Sequence, residues 1–155
     1  MKNKYYGPNL FEPKTIEGLL QRIGNLNSDS QRQWGKMNVA QMLAHCAEVF
    51  EVTNGHKKTK RSFLSYTVGP LFKFVYTNEK PLGKGAPTSK EFEMVDAKDF
   101  TVERGHLQKL IAEFAALGPE KISKAAHPFF GKLTPLQWAR GMYKHLDHHL
   151  RQFGV

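Results

Sequence analysis

Near its C-terminus the chain reads TPLQWARGMYKHLDHHLRQF, Thr134–Phe153, and this stretch carries strong helix signals. Thr134 is a good N-cap, Pro135 suits the first helical position, and Gln137 completes a capping box. The apolar positions that follow recur at helical spacing: Trp138, Met142, Leu146 and Phe153. The stretch therefore predicts an amphipathic helix with one face in a core.

Three histidines lie on this predicted helix, and a helical projection separates them. At about 100° per residue, His149 lies about 20° and His145 about 60° from the centre of the apolar face, whereas His148 lies about 120° away. Side chains four residues apart stack on one helical face. Two inward imidazoles at that spacing indicate a metal site, although a buried histidine is also often a satisfied core residue. We interpret His148 as a surface residue or as support for the ligands.

Three further long helices are predicted from apolar spacing and from start and stop signals. They run over Lys14–Leu26, from Asn38 to a stop at Asn54-Gly55, and over Phe100–Leu117 before Gly118-Pro119. The region 62–99 includes SFLSYTVGPLFKFVYT, which predicts a short helix broken at Gly69-Pro70, and then an irregular loop. The sequence predicts an all-α fold, a four-helix bundle with a long irregular connection between its second and third helices.

Composition limits the class of protein. A chain of 155 residues with 40% hydrophobic residues predicts one domain over residues 1–155. No run approaches 18 apolar residues and the N-terminus has no apolar signal region, so we expect a cytoplasmic protein without a membrane partner. The single cysteine, Cys46, lies in an apolar stripe and is interpreted as a small hydrophobic residue.

The chain is strongly basic, with a net charge of +9 and a pI of about 9.7. This charge suits an anionic partner. The densest basic run, HKKTKR at His56–Arg61, follows a turn signal and reads as a solvated loop. The other lysines are scattered, so no specific nucleic-acid partner is expected.

A third metal ligand must come from outside the last helix, and the residues alone leave two candidates. His45, the better candidate, lies mid-helix about 100° from the centre of its apolar stripe, and the alternative is a half-exposed helical histidine. His127 precedes Pro128 and could line the mouth of a site or pack on neighbouring phenylalanines. Glu48, one turn after His45, is a candidate base or a solvated surface residue, and Gln152 is a candidate for orienting a ligand or water.

Two blocks of the sequence resemble the DinB/YfiT-like family of metal-binding four-helix bundles. They are WGKMNVAQMLAHCAEVFE, Trp34–Glu51, and HLDHHLRQ, His145–Gln152. The longer stretch HPFFGKLTPLQWARGMYKHLDHHLRQFG resembles an uncharacterised branch of that superfamily. The resemblance implies an antiparallel bundle, often a homodimer, with a divalent metal held by His45, His145 and His149.

The resemblance also implies a chemistry. Characterised members include thiol-dependent S-transferases and a thiol-dependent isomerase, so the expected partner is a small molecule, such as a low-molecular-weight thiol. Zinc or nickel is expected first, and manganese or iron also suits imidazole ligands. The predicted function is activation of a thiol or of water, in a transferase or a hydrolase. The alternative is a non-catalytic basic binding module whose histidines are structural.

Overall fold

The computed structural model describes residues 7–61, 63–85, 90–122 and 126–155. Within these ranges the fold is all-α, as predicted. The α-helices are α1 Pro13–Gly24, α2 Val39–Thr53, α3 Phe63–Thr67, α4 Gly69–Thr77, α5 Phe100–Lys121 and α6 Pro135–Gln152, with a 3-10 turn at Lys90–Phe92. An isolated β-bridge joins His127 to Gly131. None of the helices in the described part has the length and apolar character needed to cross a membrane.

The start signals of the two site-bearing helices are confirmed. The Asn38 side chain accepts a hydrogen bond from the backbone N–H of Gln41, whose own side chain returns to the Asn38 backbone. Thr134 and Gln137 form the same reciprocal pair at the start of α6. Each box satisfies backbone N–H groups that a helix start leaves without partners, and this fixes where α2 and α6 begin.

The predicted stop of the third long helix is instead a bend. Gly118 takes a positive φ of 63°, and Pro119 follows within the same helical segment. Glycine adopts this backbone conformation at little cost, and proline removes one backbone donor. The helix path therefore changes direction at Gly118, and helical turns resume through Lys121, four residues beyond the predicted end.

The core lies where α2 and α5 pack along one another, with α1 and α6 closing it. Phe50 of α2 meets Phe114 of α5 edge to face at 5.8 Å between ring centroids, and Phe11 stacks on Phe114 at 5.7 Å. Cys46 is fully buried and burial raises the pKa of its thiol, so the interpretation as a hydrophobic core residue is confirmed.

The region between α2 and α5 contains the predicted broken helix, in the form of α3 and α4. The break falls at Val68, one residue before the predicted position, and Gly69 and Pro70 begin α4. Helix α4 packs closely on α6, where the ring of Tyr76 lies directly over Gly141. A side chain at position 141 would overlap this ring, so the glycine permits the close approach.

A buried lysine fastens α4 to α6. Lys144 is 4% exposed, and its Nζ donates to the backbone carbonyl of Val75 and, at 2.9 Å, to Oδ1 of Asn78. Burial lowers the pKa of Lys144 to about 8. Since both acceptors belong to α4 or its C-cap, α6 holds this helix by polar contacts as well as by ring packing.

Candidate metal centre

Three histidines from two helices converge inside the fold. His45 comes from α2, and His145 and His149 come from α6. One ring nitrogen of each lies within 4.8 Å of the other two, and the ring centroids are 4.7 to 4.9 Å apart. His45 and His149 are 3% and 7% exposed, whereas His145 is of intermediate burial. Three imidazoles at this spacing could hold a metal ion.

The orientation of His45 is set by a backbone carbonyl. Its Nδ1 lies 2.8 Å from the Phe92 carbonyl oxygen, in the 3-10 turn Lys90–Phe92. A carbonyl oxygen only accepts, so Nδ1 carries the proton, and in the neutral ring Nε2 bears a free lone pair. That Nε2 faces Nε2 of His145 at 2.9 Å.

The orientation of His149 is set by a two-step hydrogen-bond relay. Gln152 donates from Nε2 to the Trp34 carbonyl at 2.7 Å, which fixes its amide so that Oε1 points at His149. Nδ1 of His149 donates to this Oε1 at 2.8 Å. The neutral ring therefore presents Nε2 as a lone pair, the form that metal-ligating histidines usually take when the other nitrogen is hydrogen-bonded.

His145 is left incompletely satisfied. Its Nδ1 is buried and has no hydrogen-bond partner among the described residues. If its Nε2 carries the proton, that nitrogen donates to His45 and Nδ1 is an unpaired acceptor; if Nδ1 carries the proton, two lone pairs oppose each other at 2.9 Å. Buried polar atoms are rarely left in this state. A cation that both Nε2 atoms face would remove the opposition of the two lone pairs, so the donor set fits a metal.

The surroundings keep all three rings neutral. Burial lowers the pKa of His149 to about 3, with a further contribution from His45. Burial also lowers the pKa of His45, and that of His145 lies well below its usual value because of burial and then the nearby His149 and His45. A histidine must be unprotonated to bind a metal, and these three are in that form at neutral pH.

His148 occupies a place that the helical projection did not predict. It is only 8% exposed, so the expectation of a surface position is wrong. Its ring lies 5.8 Å from Trp34 and 5.1 Å from His149, and its Nδ1 is 3.4 Å from the Leu82 carbonyl. The segments carrying Trp34 and Leu82 cover this side of α6. His148 lies beside the three-histidine cluster but is not one of its members.

His127 packs on neighbouring aromatic rings, as the second of its two interpretations predicted. Its Nδ1 accepts the backbone N–H groups of Phe129 and Phe130 at 3.0 and 3.1 Å. Its ring lies 4.6 to 5.2 Å from the rings of Tyr76, Phe130 and Trp138. Burial lowers its pKa to about 3. This histidine organises the turn before α6, and the structure groups it with aromatic rings and not with the three clustered histidines.

Glu48 and Gln152, the two residues predicted to act in catalysis, lie in different surroundings. The Glu48 carboxylate binds Nζ of Lys57 at 2.5 Å, with about a third of its side chain exposed. Gln152 is 4% exposed and holds His149, as described above. The carbonyls of Phe92 and Trp34 were not predicted as site components. Trp34 begins the first of the two blocks that resemble the DinB/YfiT-like family, but the sequence gives no sign of where a backbone carbonyl points. Phe92 lies in a segment that was predicted to be an irregular loop.

The comparison with protein families gives a single assignment. A family described as Protein of unknown function (DUF1569) matches residues 14–154. The chain belongs to the DUF1569 family. This match covers α1 from its second residue onward together with α2, α5 and α6, and it therefore includes all three clustered histidines. No curated protein and no solved structure matches the chain significantly.

Proposed function

We propose that this DUF1569 protein is a metal-dependent enzyme in which His45, His145 and His149 hold a divalent metal. The observation that carries the proposal is the 2.9 Å approach of the His45 and His145 Nε2 atoms, within a cluster that His149 completes. The donor set is three neutral nitrogens, which suits zinc or nickel, with manganese or iron as further candidates. A metal held by three protein ligands with an open position would lower the pKa of a bound water or thiol.

The chain's own residues supply positioning and shielding. The Phe92 carbonyl and Gln152 fix the tautomers of His45 and His149, so two lone pairs point to one place before any ligand arrives. The apolar core behind α2 and α6 excludes water from that side. His145 is the least buried of the three histidines, so a small molecule would reach the cluster from its side.

The reaction class follows from the resemblance together with the site. We propose a thiol-dependent transferase or a hydrolase, because the DinB/YfiT-like proteins that the two sequence blocks resemble include such enzymes. An antiparallel four-helix bundle of this type, built from α1, α2, α5 and α6, and a homodimeric assembly belong to the same proposal. The catalytic role predicted for Glu48 stays a prediction, and its ion pair with Lys57 would have to open first.

Metal content tests the ligand set directly. The untagged protein would be purified, its metals measured by elemental mass spectrometry, and the measurement repeated for His145→Ala/His149→Ala and for His148→Ala. About one metal per chain in the wild type, absent from the double variant, is expected for a three-ligand site. His148→Ala is the matched control, since it removes a neighbouring buried imidazole from the same helix and should retain the metal.

Two results would count against the proposal. A wild-type protein that contains no metal and takes up neither added Zn²⁺ nor Ni²⁺ would show that the cluster is structural. A double variant that is folded by circular dichroism and still binds one metal would place the site elsewhere. If the site is established, turnover of thiol substrates by the wild type and its loss in His149→Ala would test the reaction class.

A further inference from the structure

An apolar surface on α3 and α4 has no counterpart elsewhere in the described part of the chain. Six large apolar side chains from 63 to 75 are exposed by 46% to 85% of their area. We call them the apolar crown: Phe63, Tyr66, Leu71, Phe72, Phe74 and Val75. The other large apolar side chains found to be exposed, Val95 and Val102, lie on different segments. Exposed large apolar side chains concentrated on one short segment in this way mark an interaction site.

The crown faces outward because the other side of α4 is occupied. Tyr76 lies against Gly141 of α6, and a side chain at Gly69 would overlap the Phe129 backbone. At about 100° per residue, Leu71, Phe74 and Val75 point away from those two contacts. A helix that is apolar on all sides is normally covered on all sides. The outward face of α4 therefore has no covering partner among the described residues.

Basic residues border the crown. Between residues 57 and 80 the chain has six Lys or Arg residues and one acid, Glu79. Lys58 and Lys60 are exposed just before α3, and Lys80 is exposed just after α4. The guanidinium of Arg61 lies 4.0 Å from the ring centroid of Tyr66, so a cation also sits on the crown itself. The segment thus combines protruding apolar groups with a strongly positive border.

We propose that the apolar crown docks this protein on an anionic lipid surface. Aromatic and aliphatic side chains that enter the boundary between headgroups and acyl chains, flanked by Lys and Arg at headgroup level, bind such surfaces. A second copy of the chain fits less well, because an isologous contact would bring two positive borders together. Single-stranded nucleic acid would use aromatic faces for stacking, but Leu71 and Val75 offer none.

This inference revises the expectation that the protein has no membrane partner. That expectation rested on the lack of an apolar run long enough to span a bilayer, and a helix pair lying in the interface needs no such run. Docking would also orient the histidine cluster, since Lys144 and Gly141 attach α4 to the helix that carries His145 and His149. The proposal does not depend on metal binding or catalysis.

Vesicle sedimentation with the full chain tests it. Vesicles of phosphatidylcholine would be compared with vesicles in which about a third of the lipid is phosphatidylglycerol, at low and at physiological salt. The wild type is expected to bind only the anionic vesicles, and less at higher salt. Leu71→Ser/Phe74→Ser removes apolar groups and Lys58→Glu/Lys60→Glu reverses border charge; each should weaken binding at least about tenfold.

The controls separate this proposal from its competitors. Val95→Ser/Val102→Ser removes two equally exposed apolar groups outside the crown and should leave binding unchanged. Leu71 and Phe74 are 77% and 73% exposed, so the crown variant should fold, and circular dichroism checks this. Absence of wild-type binding to anionic vesicles overturns the proposal. The proposal is also overturned if vesicle binding is independent of the crown and the crown instead mediates self-association or binding of a single-stranded oligonucleotide.

Discussion

Gln152→Leu tests whether the hydrogen-bond relay prepares His149 as a ligand. Gln152 accepts from His149 Nδ1 at 2.8 Å and donates to the Trp34 carbonyl at 2.7 Å, and it is 4% exposed. Leucine has a similar volume, so little cavity is left, but both hydrogen bonds disappear. The His149 ring loses the acceptor that selects its tautomer, and the Trp34 carbonyl loses its donor.

The magnitudes follow from these two losses. Removing a hydrogen-bond partner of a metal-ligating histidine costs about 10- to 100-fold in metal affinity, which is about 1.4–2.7 kcal/mol. A buried polar group left without a partner costs about 1–3 kcal/mol of folding stability. For a domain of this size we expect a loss of roughly 2–4 °C in Tm per kcal/mol in the metal-free protein.

Gln152→Glu separates the two effects. A carboxylate still accepts from His149, so metal affinity should stay close to that of the wild type. It cannot donate to the Trp34 carbonyl and faces it with another oxygen, so the metal-free protein should still lose stability. Gln31→Leu is the control, because Gln31 is exposed and bonds only the nearby Asp29 carbonyl.

Competition with a chromophoric chelator gives the Zn²⁺ affinity, and thermal unfolding of the metal-free proteins gives Tm. The reasoning is refuted if Gln152→Leu, folded and stoichiometrically loaded, binds Zn²⁺ as tightly as the wild type. It is also refuted if Gln152→Glu loses as much affinity as Gln152→Leu, since the acceptor to His149 would then be irrelevant.

Two other substitutions test the packing around the site. Gly141→Ala should destabilise the protein by about 1–3 kcal/mol, because the new methyl group overlaps the Tyr76 ring; unchanged thermal unfolding would show that α4 is not held against α6 in this way. Hydrogen bonds to Glu51 and, next in size, to Glu113 raise the pKa of His56 above 6.5. The stabilisation of the fold by protonated His56 is therefore complete below about pH 6.5 and is lost as pH rises through the raised pKa. The Tm difference between wild type and His56→Ala should therefore be larger at about pH 6 than at about pH 9, and a difference independent of pH would contradict the assignment.

The long helices and their starts could be predicted because their signals are local. Asn38 with Gln41 and Thr134 with Gln137 are contacts between residues three apart, so they are visible in one short stretch. The break between α3 and α4 is local in the same way. The exposure of the crown was not predictable, because apolar residues at helical spacing look alike whether a neighbouring element covers them or not.

The inward position of His45 was left open for a physical reason. A helical projection assumes one apolar face, and on that assumption His45 sits about 100° from the centre. In the structure α2 is buried around most of its circumference, since Ala40, Ala44 and Ala47 are covered as well as the apolar stripe. Glu48 and Val52, on the same side of α2 as His45, are only half-buried, and His45 is covered there by the turn that carries Phe92. The number of neighbours around a helix depends on the whole fold and cannot be read from its own periodicity.

The surroundings of the two adjacent histidines, His148 and His149, could not be predicted from the sequence. His148 and His149 have the same chemistry and nearly the same burial, at 8% and 7% exposure. Their difference arises from what their Nδ1 atoms meet: His149 meets the fixed amide of Gln152 at 2.8 Å, whereas His148 makes only a 3.4 Å approach to the Leu82 carbonyl. The first contact aims a lone pair at His45 and His145, and the second leaves its ring between Trp34 and His149. The position of His149 on α6 thus brings it to His45 and His145, and its hydrogen bond to Gln152 fixes the tautomer. The hydrogen-bond relay through Gln152 therefore prepares His149 as a ligand in a way that the count of histidines does not reveal.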